Sequence, residues 1–129
     1  MARARAAAER AYAPYSEFPV GAALITSSGH IFDGANIENA SYGLTVCAER
    51  VAIFRAVLDG CQEIAAIAVH APKERPCPPC GACRQVLNEF RAAGGDVIVV
   101  LEGADGVELH TLDELLPMAF GPRNVKGDS

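Results

Sequence analysis

The cysteines constrain this chain more than any other feature. There are five, Cys47, Cys61, Cys77, Cys80 and Cys83, and three of them crowd into positions 77–83. The number is odd, and no long apolar run follows the N-terminal arginines as in a secretory signal, so a disulfide framework does not suit the pattern. Clustering of this kind points to metal or redox chemistry. Pro79-Cys80-Gly81-Ala82-Cys83 opens a predicted helix, whose first turn brings residues i and i+3 together, so Cys80 and Cys83 can grip one ion. Cys47-Ala48-Glu49 opens another. If the two helix starts meet, three thiolates converge, each favoured by the positive end of a helix.

The ligand count separates two kinds of site. A structural zinc is closed by four protein ligands, whereas a catalytic one uses three and leaves a position for water, whose pKa falls toward ~7. Cys47, Cys80 and Cys83 supply three. Glu49 is placed to move the proton, but residues i and i+2 point to different faces of a regular helix. Cys47 and Glu49 converge only if Cys47 lies in an irregular stretch before the helix, which Gly43 and Thr45 permit. Other readings of the thiols stand beside this one. Cys77-Pro78-Pro79-Cys80 has its own two-residue gap, so Cys77 could close a four-cysteine structural site. A CxxC pair opening a helix after a strand also fits a thioredoxin-like redox motif. A closed site has no use for Glu49, and a redox pair leaves both Cys47 and Glu49 unexplained.

Half of the residues are hydrophobic, Trp is absent and aromatics are few, so the core rests on Ala, Val, Ile and Leu. Residues 2–12 read as an Ala-rich helix. Residues 19–27 and 31–35 read as a hairpin across Ser28-Gly29, followed by a polar loop over 36–45. The spacing of Val51, Phe54 and Leu58 predicts a helical core stripe within 47–59, stopped by Gly60. Residues 64–71 read as a buried strand, 72–79 as a proline-rich loop, and 81–92 as a helix with Ala82, Val86, Leu87 and Phe90 on its core face. Residues 97–101 are the plainest strand. A turn at Gly103–Gly106, a short strand and a short helix at 112–116 complete the order. Helices alternating with apolar strands imply an α/β fold, a three-layer α/β/α sandwich. The 129 residues read as one domain, with 1–10 and 122–129 as frayed or peripheral ends.

The net charge is −5 and no Lys/Arg cluster stands out, so polymeric nucleic acid is not the expected partner. No apolar run approaches the ~20 residues that span a bilayer, so no membrane is expected and the cytoplasm is the default.

The Cys-Xaa-Glu and Pro-Cys-Xaa-Xaa-Cys segments carry the signature of zinc deaminases acting on a nucleobase. With Ala11-Tyr12-Ala13-Pro14-Tyr15-Ser16, Asn36-Ile37-Glu38-Asn39-Ala40-Ser41-Tyr42, the run from Cys80 to Val86, Glu114-Leu115-Leu116-Pro117 and Phe120, the chain resembles the small homotetrameric cytidine deaminases over nearly its whole length. The resemblance implies a mixed five-stranded sheet, one Zn²⁺ per subunit, and hydrolysis of cytidine and 2′-deoxycytidine to the uridine forms with release of ammonia, a pyrimidine salvage reaction. It implies that Cys47, Cys80 and Cys83 hold zinc and that Glu49 carries the proton to N3 and the leaving amine. Asn36 and Glu38 would bind the ribose 3′-hydroxyl. Phe18 and Val20 would line the base pocket, with Ala48 beside the substrate. Ala40, Tyr42 and Phe120 would complete a neighbouring subunit's site. Arg50 would donate to two ligand sulfurs and offset the negative charge of three thiolates. Gln85 would stand near the zinc. Cys77 departs from the family pattern and is expected as a free thiol, Cys61 as a thiol without a role. The histidines lie outside these motifs. A deaminase of a related nucleoside such as blasticidin S shares the zinc motif, but Asn36-Xaa-Glu38 suits a ribose and favours cytidine.

Overall fold

The computed structural model describes residues 1–126. Five helices, α1 (Ala2–Ala8), α2 (Ala48–Leu58), α3 (Gly81–Glu89), α4 (Leu112–Leu115) and α5 (Pro122–Lys126), accompany five strands, β1 (Gly21–Thr26), β2 (Ile31–Ala35), β3 (Ile64–His70), β4 (Ile98–Gly103) and β5 (Gly106–Thr111). The strands form one sheet in the order β2-β1-β3-β4-β5. Among the described strands β3 and β4 pair in parallel, and β1–β2, β1–β3 and β4–β5 are antiparallel. Parallel neighbours need a long crossover, and α3 supplies it, preceded by the proline-rich loop. The mixed five-stranded sheet expected from the resemblance is present.

Alternation along the strands divides the sheet into two faces. Ala22 stands opposite Val69, which stands opposite Leu101, and Leu24, Ile67 and Val99 form the next row. These residues make the main core with Ala48, Ala52, Ile53 and Ala56 of α2 and Leu87 of α3. Gly34, paired with Ala22, shares that face: a Cβ there would lie 2.6 Å from Ala52 N and 2.7 Å from Ala48 O. The opposite face receives α1. At Gly21 a Cβ would lie 1.9 Å from Ala4 O. Glycine is what lets each helix approach the sheet so closely.

Three expectations change in the structure. Residues 1–10 are not a peripheral end, because Ala4, Ala7 and Ala8 are buried where α1 meets β1. At the other end, α5 buries nothing, and 127–129 lie outside the described residues. The core stripe of α2 is not Val51, Phe54 and Leu58. Phe54 is 48% and Leu58 91% exposed, while the alanines and Ile53 face the sheet. The helix is apolar on several sides, so spacing alone does not reveal which side a glycine-lined sheet accepts. On α3 the buried residues are Cys83 and Leu87, with Val86 and Phe90 packed against the core; Ala82 is exposed. The 36–45 loop includes a 3-10 turn at Tyr42–Leu44. Among the described residues no helix is long and apolar enough to cross a membrane.

Candidate metal centre and substrate site

The two cysteine-bearing helix starts meet. Cys47 is the residue before α2 and Cys80 the residue before α3, both in extended backbone, with ψ of 153° and 169°. This is the irregular stretch that the Cys47–Glu49 pair requires. The Cys47 sulfur lies 3.9 Å from that of Cys80, which lies 3.4 Å from that of Cys83, and all three ligand atoms fall within 4.8 Å of one another. Sulfurs held ~2.3 Å from a tetrahedral zinc stand about 3.8 Å apart, a spacing that the 3.4 and 3.9 Å separations bracket. Cys77 is outside the cluster, which disfavours a four-cysteine structural site.

Three thiols this close share charge unequally. Cys47 is drawn down to about 5, first by a hydrogen bond from Cys83 and then by Arg50 and Cys80, against the opposing effect of burial. Cys83 is pushed up by its bond to Cys47 and by burial, so its proton is the harder one to remove without a metal. A cation that displaces these protons resolves the competition. Arg50 donates from Nη2 to Cys47 at 3.4 Å and also interacts with Cys83. Its Nε is buried without a hydrogen-bond partner among the described residues.

Glu49 is 4% exposed and its carboxyl interacts with the Cys83 thiol. Burial, assisted by negative charge at Cys47, raises it to about 7. A carboxyl poised there can both accept and return a proton near neutral pH. Cys77 is pushed up to about 11, by burial and by the carboxylates of Glu49 and Glu74, and so stays a protonated thiol.

The loop that carries Cys80 is held from α3. Arg84 donates from Nε to Pro79 O at 2.7 Å and from Nη1 to Leu115 O at 2.8 Å. Its role went unassigned in the sequence, although a guanidinium one turn beyond a ligand that opens a helix can reach back to the preceding carbonyls.

Asn36 and Glu38 organise the first loop. Asn36 is buried, accepting at Oδ1 from Val20 N and donating from Nδ2 to Phe18 O, both at 2.9 Å. It thereby sets the course of the two residues expected to line the base pocket. Both of these are half-buried, and Val20 also packs on the core. Glu38 accepts from Tyr15 N at 3.0 Å, Ser16 N at 3.1 Å and the Ser16 hydroxyl. The Ser16 hydroxyl is the main cause that keeps this carboxyl below the usual range. Ser16 also accepts from Phe18 N at 3.0 Å. Its part is visible only in the folded chain, because its partner lies 22 residues away.

Ala40, Tyr42 and Phe120 are exposed, and the Tyr42 ring meets that of Tyr15 edge-on at 6.2 Å. Ala48 has no exposed surface in the single chain and packs in the core, its carbonyl against Gly34. Gln85 is exposed and donates from Nε2 to Phe120 O at 2.6 Å. Two depressions, of about 250 and 230 Å³, lie away from the thiols, one between β2 and α2 and one over the open face of the sheet beside Met1 and Arg3.

Residues 1–100 match the family profile described as the cytidine and deoxycytidylate deaminase zinc-binding region. The cytidine deaminase of Sporosarcina psychrophila is 48% identical over 126 residues, covering 97% of this chain and 91% of that one. That of Halalkalibacterium halodurans is 55% identical over 115 residues, covering 88% and 86%. Among solved structures, the cytidine deaminase of Burkholderia pseudomallei superposes with a TM-score of 0.84 at 49% identity, covering 92% of this chain and 94% of that one. The cytidine deaminase of Mycobacterium tuberculosis gives 0.81 at 38%, covering 93% of each.

Proposed function

The chain belongs to the cytidine and deoxycytidylate deaminase family, and on that premise we propose that it is a zinc-dependent cytidine deaminase, hydrolysing cytidine and 2′-deoxycytidine to uridine and 2′-deoxyuridine. The observation that carries this reading is the convergence of three ligand sulfurs and one buried glutamate at two helix starts. Cys47, Cys80 and Cys83 hold the zinc, which when bound makes water nucleophilic at neutral pH. Glu49 accepts a proton from the attacking water and delivers it to N3 of the ring; it then carries the proton of the hydroxyl added at C4 to the 4-amino group, so that the C4–N bond breaks, ammonia leaves and the C4 carbonyl forms. Arg50 draws negative charge from the sulfurs, so that three thiolates do not quench the metal's pull on electrons. Burial of the carboxyl excludes bulk water from the transfer.

Glu38 and Asn36 receive the sugar. Three donors already hold Glu38 as an oriented anion, which leaves acceptor capacity for a ribose hydroxyl. Asn36 has one amide hydrogen beyond its bond to Phe18 O. Phe18 and Val20 flank the base. The ribose-type contact favours a nucleoside such as cytidine over the blasticidin alternative.

The assembly is a homotetramer in which Ala40, Tyr42 and Phe120 complete a neighbour's pocket. One feature supports this reading: α2 shows Phe54 and Leu58 outward. A helix apolar on both sides is buried on both sides in its working form. The whole chain acts as one domain, in pyrimidine salvage in the cytoplasm, with no polymeric nucleic acid or membrane partner.

The test is the fall in cytidine absorbance with purified protein, before and after chelation, with a parallel metal count. Turnover that vanishes on chelation and returns with zinc, at one ion per chain, is the expected result. Zinc at that ratio with no turnover on either nucleoside would overturn the substrate assignment.

A further inference from the structure

Phe120 combines a hydrogen-bonded main chain with a largely exposed side chain. Its carbonyl accepts two side-chain amides from successive turns of α3, Gln85 Nε2 at 2.6 Å and Asn88 Nδ2 at 3.2 Å. The next residue is fixed as well. Gly121 N donates to Asn124 Oδ1 at 2.8 Å, and a Cβ on Gly121 would lie 2.6 Å from Asn88 Nδ2, so glycine is what lets the amide reach the carbonyl. Upstream, Arg84 holds Leu115 O. The residue is 63% exposed, and nearby Met118 is fully exposed. Pinning a backbone that displays an apolar ring to water has no benefit within the chain. It benefits a contact made outside it, because the ordering entropy is lost before binding.

The direction of display is also set. Gln85 follows Cys83 by two residues, about 200° around a helix of 3.6 residues per turn. Cys83 is fully buried and Gln85 is exposed. The Phe120 main chain therefore hangs on the face of α3 turned away from this chain's own sulfurs.

We propose that Gln85 and Asn88 are positioning residues that hold Phe120 for the nucleoside pocket of a second copy of this chain. The proposal rests on the reading that Phe120 completes a neighbour's site. The helix that brings Cys83 to its own zinc then also aims the ring that serves the adjacent site. Losing the clamp leaves the ring present but unordered, so the loss falls on substrate binding and not on the chemical step.

The experiment compares Gln85→Met and Asn88→Leu, which keep side-chain size and remove the donors, with Phe120→Ala and with the clamp variants made in the Phe120→Ala background. Each is measured for KM and kcat on cytidine, zinc per chain, sedimentation and melting temperature. Loss of one hydrogen bond should raise KM about five-fold, and loss of both about thirty-fold, with kcat and zinc unchanged. In the Phe120→Ala background the same changes should add nothing. A rise in KM with Phe120→Ala but none with the clamp variants overturns the clamp and leaves the Phe120 reading standing. A silent Phe120→Ala overturns that reading and the clamp with it. A clamp effect that persists without the ring shows that Gln85 and Asn88 act elsewhere and also overturns the proposal. A purely structural role would lower thermal stability and leave KM unmoved.

Discussion

Replacing Gly34 by alanine tests how the fold sets the site. The added Cβ would stand 2.6 Å from Ala52 N, 2.7 Å from Ala48 O and 3.0 Å from Val51 Cβ. Ordinary contact begins near 3.4 Å, so α2 must retreat from β2 by about 0.8 Å, and its own backbone cannot rotate out of the way. Overpacking of this kind costs about 1–3 kcal/mol. The same retreat carries Cys47 and Glu49 away from Cys80 and Cys83, which are fixed by α3 and the Arg84 bonds. Metal–ligand distances tolerate ~0.2 Å, and a misplacement of ~1 Å at reacting groups costs on the order of 10²-fold. Gly34→Ala should therefore unfold at lower urea, yield zinc faster to a chelator and lose about 10- to 100-fold in kcat. Urea denaturation, competition with a metal indicator dye and the cytidine absorbance assay read the three effects. A variant with unchanged midpoint and unchanged kcat would refute the argument that helix–sheet contact at Gly34 sets the ligand geometry.

Two further outcomes follow from the charges. Glu49→Gln should keep one zinc per chain and lose about 10²–10⁴-fold in turnover, since the amide cannot shuttle a proton; a metal count with the absorbance assay checks both, and retained activity would remove Glu49 from the mechanism. Glu102 is held below its ordinary 4.5, first by Arg5, with His70 at 2.7 Å and Arg75 adding to the effect. A depressed carboxylate contributes stability that is present above the ordinary value and lost as pH falls through the lowered one. The melting-temperature gap between wild type and Glu102→Gln should therefore be full near neutral pH and shrink below pH 4.5, and a gap that stays constant into acid would exclude the ion cluster as its source.

Much of the site is legible in the sequence because its chemistry is local. Cys80 and Cys83 are one helical turn apart, and Cys47 and Glu49 straddle a helix start, so spacing alone suggests a shared ion and a nearby proton carrier. Asn36 and Glu38 are different. Composition reads them as turn residues, and only a resemblance lifts them higher. The folded chain shows them bonded to Phe18, Val20, Tyr15 and Ser16, partners no short window contains. The bond from Gln85 to Phe120 O and the burial of Ala48 are equally invisible in a short window. Membership of a site motif does not state which way a side chain turns or what already occupies it.

The sequence by itself determined the order of helices and strands, the three sulfurs and the acid beside them, since periodicity and ligand spacing are short-range properties. Tertiary structure decided which side of α2 is core, that α1 is packed onto Gly21, and that Phe120 is clamped by α3. Those outcomes depend on close approach between elements distant in the chain. The small residues that permit it, Gly21, Gly34 and Gly121, carry no periodic signal until the partner element is in place.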